Sequence, residues 1–302
     1  MVKVVTDVTK ANVITHNGVF HADDIMATVI LELALKDIYV YRTYEVPENI
    51  DSKNIVIYDV GKGKFDHHGK NLKRRDNGVA YASAGLIWQE YGKKILEELN
   101  YPEVMFYIMD KYMLQGIDAV DNGEMQDGDY PVRSVSLSDL ISEFNPSWDD
   151  EDCSIDEAFL KAVSFAKGIF LRRLKRVNSK LVARHEIEKK INNTNGNIMV
   201  LEEYMPWKDG IFNSQNDKSK NIKYVVLPSE RIGFECHCVP IGSQNSNFRK
   251  PFPKNWLGLQ NKELQKESGT KTAFFCNENG QFAIARLKCD AIKMAKHSLQ
   301  TK

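Results

Sequence analysis

The 302-residue chain is 42% hydrophobic and 27% charged, a balance that fits a folded globular protein with a substantial core and excludes a disordered or collagen-like chain. Lys+Arg and Asp+Glu are equal at 41 each, so no global field draws the protein onto nucleic acid, and a polyanionic substrate has to be met by local basic patches. No apolar run is long enough to span a membrane, Met1 to Lys10 lacks the apolar core of a secretory signal, and five thinly spread cysteines point to a reducing cytoplasm rather than a disulfide framework.

In chain order, residues 12–16 read as a short buried strand and residues 24–36 as an amphipathic helix with acidic residues near its start. Residues 38–42 form a second expected strand and 54–60 a third, followed by Gly61 and Gly63. Ser83 opens a helix through Leu86, Ile87, Trp88 and Tyr91, and residues 102–121 carry a further long helical pattern. Strand alternating with helix argues an α/β fold with a mostly parallel sheet flanked by helices, and ligands in such sheets collect beyond the carboxyl ends of the strands. The polar stretch after Asn145-Pro146-Ser147-Trp148 is the expected boundary, dividing a domain of residues 1–148 from a smaller α+β domain of residues 149–302. Within the second, residues 154–192 read as one or two Lys- and Arg-rich helices. Strands are expected at 198–201, 224–227, 234–239 and 272–276, with a closing helix at 289–299. Cys236-His237-Cys238 has the residue types of a zinc fragment, but its one-residue spacing and lack of a second pair favour a buried strand.

The chemistry concentrates in the first third. Asp66-His67-His68 packs metal-binding atoms closely, and upstream lie His16, His21, Asp23 and Asp24, with Asp59 ending the apolar run Ile55-Val56-Ile57-Tyr58. Four of the seven histidines fall within the first 68 residues. Imidazole and carboxylate together suit Mn, Fe, Zn or Mg, and a set of this size has donors for two ions, which points to metal-assisted attack on a phosphorus ester. His16 and Asp59 stand at expected strand ends, so these sequence-distant groups would meet on one edge of the sheet.

The order of these pieces resembles a known family. Thr15-His16-Asn17-Gly18, Phe20-His21-Ala22-Asp23-Asp24, Asp59-Val60-Gly61, Asp66-His67-His68, Ser83-Ala84-Gly85-Leu86 and Asp118-Ala119-Val120-Asp121-Asn122-Gly123 are similar to the melanocyte-proliferating-gene (Myg) family, which belongs with the DHH-type phosphoesterases. The similarity continues through Asn145-Pro146-Ser147-Trp148 and the segment from Phe248 to Leu259, and ends in Ala291-Ile292-Lys293-Met294-Ala295. The resemblance implies a two-domain, metal-dependent phosphoesterase with 3′–5′ exoribonuclease activity and two Mn²⁺ or Mg²⁺ ions at the domain cleft. Two departures stand out. The stretch from Cys276 to Ala285 lacks the family's histidine and paired glycines, and Gln115-Gly116 replaces an acidic position.

A two-cation centre needs a carboxylate able to bridge, and Asp59 at the end of a central strand is the expected bridge. His16, His21 and Asp23 would complete one shell, and His67 and Asp118 the other. Asp24 is an alternative ligand or a helix cap, and Asp121 an alternative to Asp118. His68 would face the phosphate as the catalytic proton donor or hydrogen-bond donor, with Asp66 holding an imidazole in place. Arg249, Lys250 and Lys254 are the expected phosphate-binding cluster, and Lys73-Arg74-Arg75 offers a second. Arg172, Arg173, Lys175 and Arg176 read as a solvated helix face. Trp88, Trp148 and Trp256 read as core or interface residues, and Trp207 as a core residue or a base-stacking one. The expected substrates are RNA, short oligonucleotides or, alternatively, a small phosphoester or pyrophosphate; a third reading is a non-catalytic, metal-stabilised RNA-binding protein. No membrane partner is expected, and a homo-oligomer is allowed.

Overall fold

The computed structural model describes residues 1–48, 50, 54–69, 72–125, 134–150, 154–242 and 247–301. Its elements in order are β1 (Val2–Val4), β2 (Val13–His16), α1 (Ala22–Leu35), β3 (Ile38–Thr43), β4 (Val56–Ile57), α2 (Ser83–Glu98) and α3 (Val104–Met109). A π-helical segment (Asp110–Leu114) leads into α4 (Gln115–Asp121), followed by α5 (Leu137–Ser142) and α6 (Ile155–Asn193). Then come β5 (Ile198–Val200), α7 (Lys208–Phe212), α8 (Lys218–Asn221), β6 (Tyr224–Pro228), β7 (Phe234–Cys238), α9 (Asn261–Ser268), β8 (Ala273–Cys276), β9 (Phe282–Ala285) and α10 (Lys288–Gln300). The chain divides into two compact units, Met1–Asn178 and Ser179–Lys302, and the division falls within α6. Part of the polar stretch expected to mark a boundary, residues 151 and 152, lies outside the described residues.

The first unit holds a four-stranded sheet of order β1-β3-β2-β4, parallel throughout. Val13, Ile14 and Thr15 of β2 are fully buried, as expected for a central parallel strand covered on both faces. β3 and β4 flank β2 on opposite sides, so the strand order reverses at β2 and opens a crevice beyond its carboxyl end. The helix expected to be amphipathic is instead buried on nearly every side, from Ala22 to Leu31. The buried run extends one residue further, to Glu32, and makes it an interior helix, which places Asp23 and Asp24 of its first turn inside the protein. β4 is shorter than expected because Asp59 takes φ +56°, a left-handed conformation that Asp tolerates and that turns the chain out of the sheet. The long helix expected over residues 102–121 is interrupted by the π turn, a distortion that often marks a functional segment.

The second unit carries a mixed sheet of order β5-β6-β7-β9-β8, with β5 and β6 parallel and the other pairs antiparallel. Tyr224, Cys236, Cys238, Phe252, Trp256 and Met294 form one core. Trp207 belongs to a second core with Ile187, Ile211 and Val225, so it is not available to stack on a base. Cys236 and Cys238 are buried strand residues of β7, as their spacing predicted. Trp88 and Trp256 are fully buried, whereas Trp148, expected in a core or interface, is 98% exposed.

Candidate metal centre

Four chain segments converge at the carboxyl end of β2 and β4. The first is His16, the last residue of β2. Its Nδ1 lies 3.0 Å from the Asn17 carbonyl; a carbonyl only accepts, so Nδ1 carries the hydrogen and Nε2 faces the cluster. There Nε2 lies 2.9 Å from Asp24 Oδ2 and 3.3 Å from Asp59 Oδ2.

The second segment is the first turn of α1. Asp24 Oδ1 accepts the backbone N–H groups of His21 (3.0 Å) and Ile25 (2.7 Å), closing the helix start. Its Oδ2 is left pointing at His16. Of the two roles posed by the sequence, cap or ligand, Oδ1 takes the cap and Oδ2 takes no part in it. Asp23 is fully buried and neither of its oxygens has a hydrogen-bond donor among the described residues. The loop before this turn is fixed from both sides. The Asn145 amide accepts from Phe20 N–H (3.0 Å) and donates to Phe20 C=O (2.9 Å), and Arg42 donates to Gly18 C=O (2.7 Å).

The third segment runs from Asp59 to His68. Asp59 is 3% exposed. Its Oδ1 lies 3.0 Å from His67 Nε2 and 3.6 Å from His68 Nδ1, while Oδ2 faces His16. One carboxylate therefore stands between the two imidazoles. Asp66 accepts from Lys62 N–H through Oδ2, and from the backbone N–H (2.9 Å) and Nδ1 (2.8 Å) of His68 through Oδ1. It shapes the turn and commits His68 Nδ1, leaving Nε2 of this exposed ring for a substrate.

The fourth segment is the end of α4, where Asp118, the expected ligand, does not face the cluster. Asp118 is buried, with Oδ2 2.6 Å from Arg75 Nη2 and Oδ1 accepting Gly85 N–H (3.0 Å). Arg75 in turn makes a paired contact with Asp110 of the π segment, at 3.0 Å from Nε and 2.7 Å from Nη2. Asp118 is thereby part of an internal ion network, and the residue that faces the cluster is Asp121, whose Oδ2 lies 3.1 Å from His67 Nε2. Arg75, expected among substrate-attracting basic residues, is committed to the same network. Gln115, at the usually acidic position, donates to Asp110 Oδ2 (2.9 Å) and accepts from Asn77. Asn122 was not singled out from sequence. It donates to Asp118 C=O (2.9 Å) and accepts His67 Nδ1–H (3.1 Å), which aims His67 Nε2 inward.

Among the described residues three donor groups could each hold an ion: His16 with Asp24 and Asp59; Asp59 with His67 and His68; and His21 with Asp23 and Asp121. Asp59 is common to two of them. Burial raises the pKa of Asp23 well above the carboxylate range, and the charges of Asp59, Asp121 and Asp24 add to the rise. Burial works against a charged His16, but hydrogen bonds and charge from Asp24 and Asp59 outweigh it and raise its pKa to about 10. For His67 burial is likewise outweighed, first by its bond to Asp59, and the pKa rises to about 9. Burial alone would raise Asp59, yet the two imidazoles hold it below the usual range. Four carboxylates gathered together, three of them buried and one without a donor among the described residues, would be strongly destabilising without positive charge. Two divalent cations would supply that charge in the same donor set, so the residues fit such a centre.

The expected phosphate-binding residues of the second unit are placed otherwise. Arg249 Nη1 donates to the carbonyls of Ser219 and Ile222, and Lys250 Nζ to the carbonyl of Thr301. These cations tie loops together within their own unit. Lys254, at the start of a 3₁₀ turn, is exposed.

A parallel α/β sheet with imidazoles and carboxylates at its carboxyl edge defines a class: α/β proteins built around a candidate divalent-cation centre. The chain belongs to the MYG1_exonuc family, described as Uncharacterised protein family (UPF0160), whose model matches residues 12–299. It is 29% identical to the MYG1 protein of Dictyostelium discoideum, an alignment covering 94% of this chain and 95% of that one. The MYG1 protein YER156C of Saccharomyces cerevisiae is 28% identical, with 94% of each chain covered. The MYG1 exonuclease of Homo sapiens is 27% identical, over 94% of this chain and 85% of the human protein. No solved structure matches the chain.

Proposed function

We propose that this protein is a divalent-metal-dependent phosphodiesterase that shortens RNA or short oligonucleotides from the 3′ end, with Mn²⁺ or Mg²⁺ held in pairs. The observation that carries the reading is the convergence of Asp23, Asp24, Asp59 and Asp121 on His16 and His67, with Asp59 between the two imidazoles. In this reading His16, Asp24 and Asp59 hold one cation, and Asp59, His67 and Asp121 hold the other with Asp23. Bound there, the cations would offset the carboxylates, neutralise charge on a phosphoryl group and acidify an attacking water.

The protein's own groups do the rest. Asn17, Asn122 and Asp24 Oδ1 keep the donors aimed before anything binds, so little reorganisation is needed. His68, oriented by Asp66, presents Nε2 to the pocket, from which a proton can pass to the leaving oxygen. A nucleic-acid substrate is supported by the human relative, the MYG1 exonuclease. It is also supported by a cavity of about 420 Å³ beside His67 and His68 that carries Lys62, Lys64 and Lys73, a local basic patch in a chain of zero net charge. Residues 149–302, with the exposed Lys254, would serve substrate binding. Among the described residues no helix is long and apolar enough to cross a membrane. The free cysteines Cys236, Cys238, Cys276 and Cys289 suit a reducing compartment such as the cytoplasm.

A second reading, hydrolysis of a small phosphoester or pyrophosphate, is favoured by the modest size of the cavity directly over the cluster, about 260 Å³. Incubating the protein with Mn²⁺ and 5′-labelled RNA, dinucleotides or pyrophosphate separates the two. Stepwise shortening of the labelled RNA is expected; cleavage of small substrates alone selects the second reading, and inactivity in every metal overturns both.

Cation binding is also expected to depend on pH. His16 and His67 hold protons up to about pH 10 and 9 in the metal-free chain, and a ligating nitrogen must be free of its proton. Apparent Mn²⁺ affinity should therefore rise from pH 6 to pH 9, with at least about two protons, those of the imidazoles, released per chain near pH 7.5. Titration calorimetry in buffers of different ionisation enthalpy measures that release, and a pH-independent affinity would remove the imidazoles from the centre.

A further inference from the structure

The cavity directly over the cluster is lined by His16, His21, His67 and Asp121 on one side and by Tyr44 and Val19 on another. Tyr44 follows the last residue of β3, at the same carboxyl edge of the sheet as the cluster, and is 73% exposed. Val19 is 62% exposed. Two large, solvent-facing apolar groups at the mouth of a charged cavity have no role in gripping cations or a phosphate. The tyrosine's place is nevertheless built. Its ring lies against Gly18, where a Cβ would stand 2.9 Å from Tyr44 Oη and 3.4 Å from the ring edge. Gly18 has φ +84°, and its carbonyl is held by the buried Arg42. An exposed aromatic ring beside a phosphate site is what a nucleobase needs for stacking, and stacking is tolerant of base identity.

We infer that Tyr44 is a substrate-positioning residue that stacks a nucleobase next to the scissile phosphate, making nucleotides rather than inorganic phosphates the substrate class of this site. The inference rests on the phosphodiesterase reading and assigns its specificity. Because Tyr44 is exposed, its replacement leaves the core untouched.

The test compares equilibrium binding of diadenylate and of its doubly abasic counterpart, with Ca²⁺ in place of Mn²⁺ to slow turnover, for the full-length wild type, Tyr44→Ala, Tyr44→Leu and Tyr44→Phe. Wild type and Tyr44→Phe should prefer diadenylate over the abasic compound. Tyr44→Ala and Tyr44→Leu should bind diadenylate roughly 10-fold more weakly and bind the abasic compound as wild type does. Equal binding of diadenylate by wild type and Tyr44→Ala would overturn the inference, as would parallel loss of both ligands or a wild type indifferent to the bases. Hydrolysis of diadenylate with Mn²⁺ is scored separately: its absence removes the phosphodiesterase reading, while the binding comparison still decides whether Tyr44 reads a base.

Discussion

Asp59→Asn protein is expected to lose at least about a thousandfold in the rate of phosphodiester cleavage while remaining folded. Asp59 is the carboxylate whose two oxygens face different imidazoles, His67 from Oδ1 and His16 from Oδ2. An amide keeps the shape, replaces one acceptor oxygen with a donor and removes the charge. Both donor groups that share Asp59 are weakened together, so the protein should also bind less than its full complement of Mn²⁺. Stability of the metal-free chain should fall, because the Asp59 carboxylate is held below its usual range by His16 and His67 and supports the charge of both imidazoles. Circular dichroism, metal content and single-turnover cleavage check the three parts. Wild-type cleavage by a metal-loaded Asp59→Asn protein would rule out a bridging role.

Gly85→Ala should be damaging although Gly85 touches no candidate ligand of the cluster. A Cβ at this point of α2 would lie 1.9 Å from Asp118 Oδ2 and 2.6 Å from Arg75 Nη2. Asp118 also accepts the Gly85 N–H, so the helix cannot recede without leaving a buried carboxylate short of a donor. Disturbing a buried ion pair of this kind costs about 3 kcal/mol or more, which corresponds to a melting temperature lower by roughly 6–12 °C. The effect should reach the cluster, because the carbonyl of Asp118 holds Asn122 and Asn122 aims His67. Mn²⁺ affinity should therefore fall roughly tenfold or more, as when an outer partner of a metal ligand is removed. Thermal melts and metal titrations read both effects, and a variant that melts and binds like wild type would contradict the packing described.

The pieces of the centre that were legible in the sequence are those set by chain direction. A hydrophobic run ending in His16 or Asp59 places the side chain at a strand's carboxyl end, and Asp66-His67-His68 is conspicuous by composition. The choice between Asp118 and Asp121 was not legible, because residues three apart share a helix face. What ties Asp118 up is Arg75, 43 residues away in sequence, which beside Lys73 and Arg74 reads as part of a phosphate-binding cluster. Asn122 was missed for a related reason: its amide acts through His67 and carries no signal of its own. Arg249 and Lys250 sit in a segment rich in basic residues, yet what they meet are backbone carbonyls, and no composition distinguishes that from phosphate binding. In the fold, β1 and β9, of three and four residues, are too short for their alternation to stand out from the flanking loops. The burial of α1 depends on what the rest of the chain packs around it, so the helix read as amphipathic rather than interior.

Anomalous diffraction from crystals grown with Mn²⁺ tests the central claim most directly. Two peaks should lie on either side of Asp59, one against His16 and Asp24 and the other against His67 and Asp121. A map with no manganese at these carboxylates, and His16 and His67 still bonded to Asp24 and Asp59, would contradict the account.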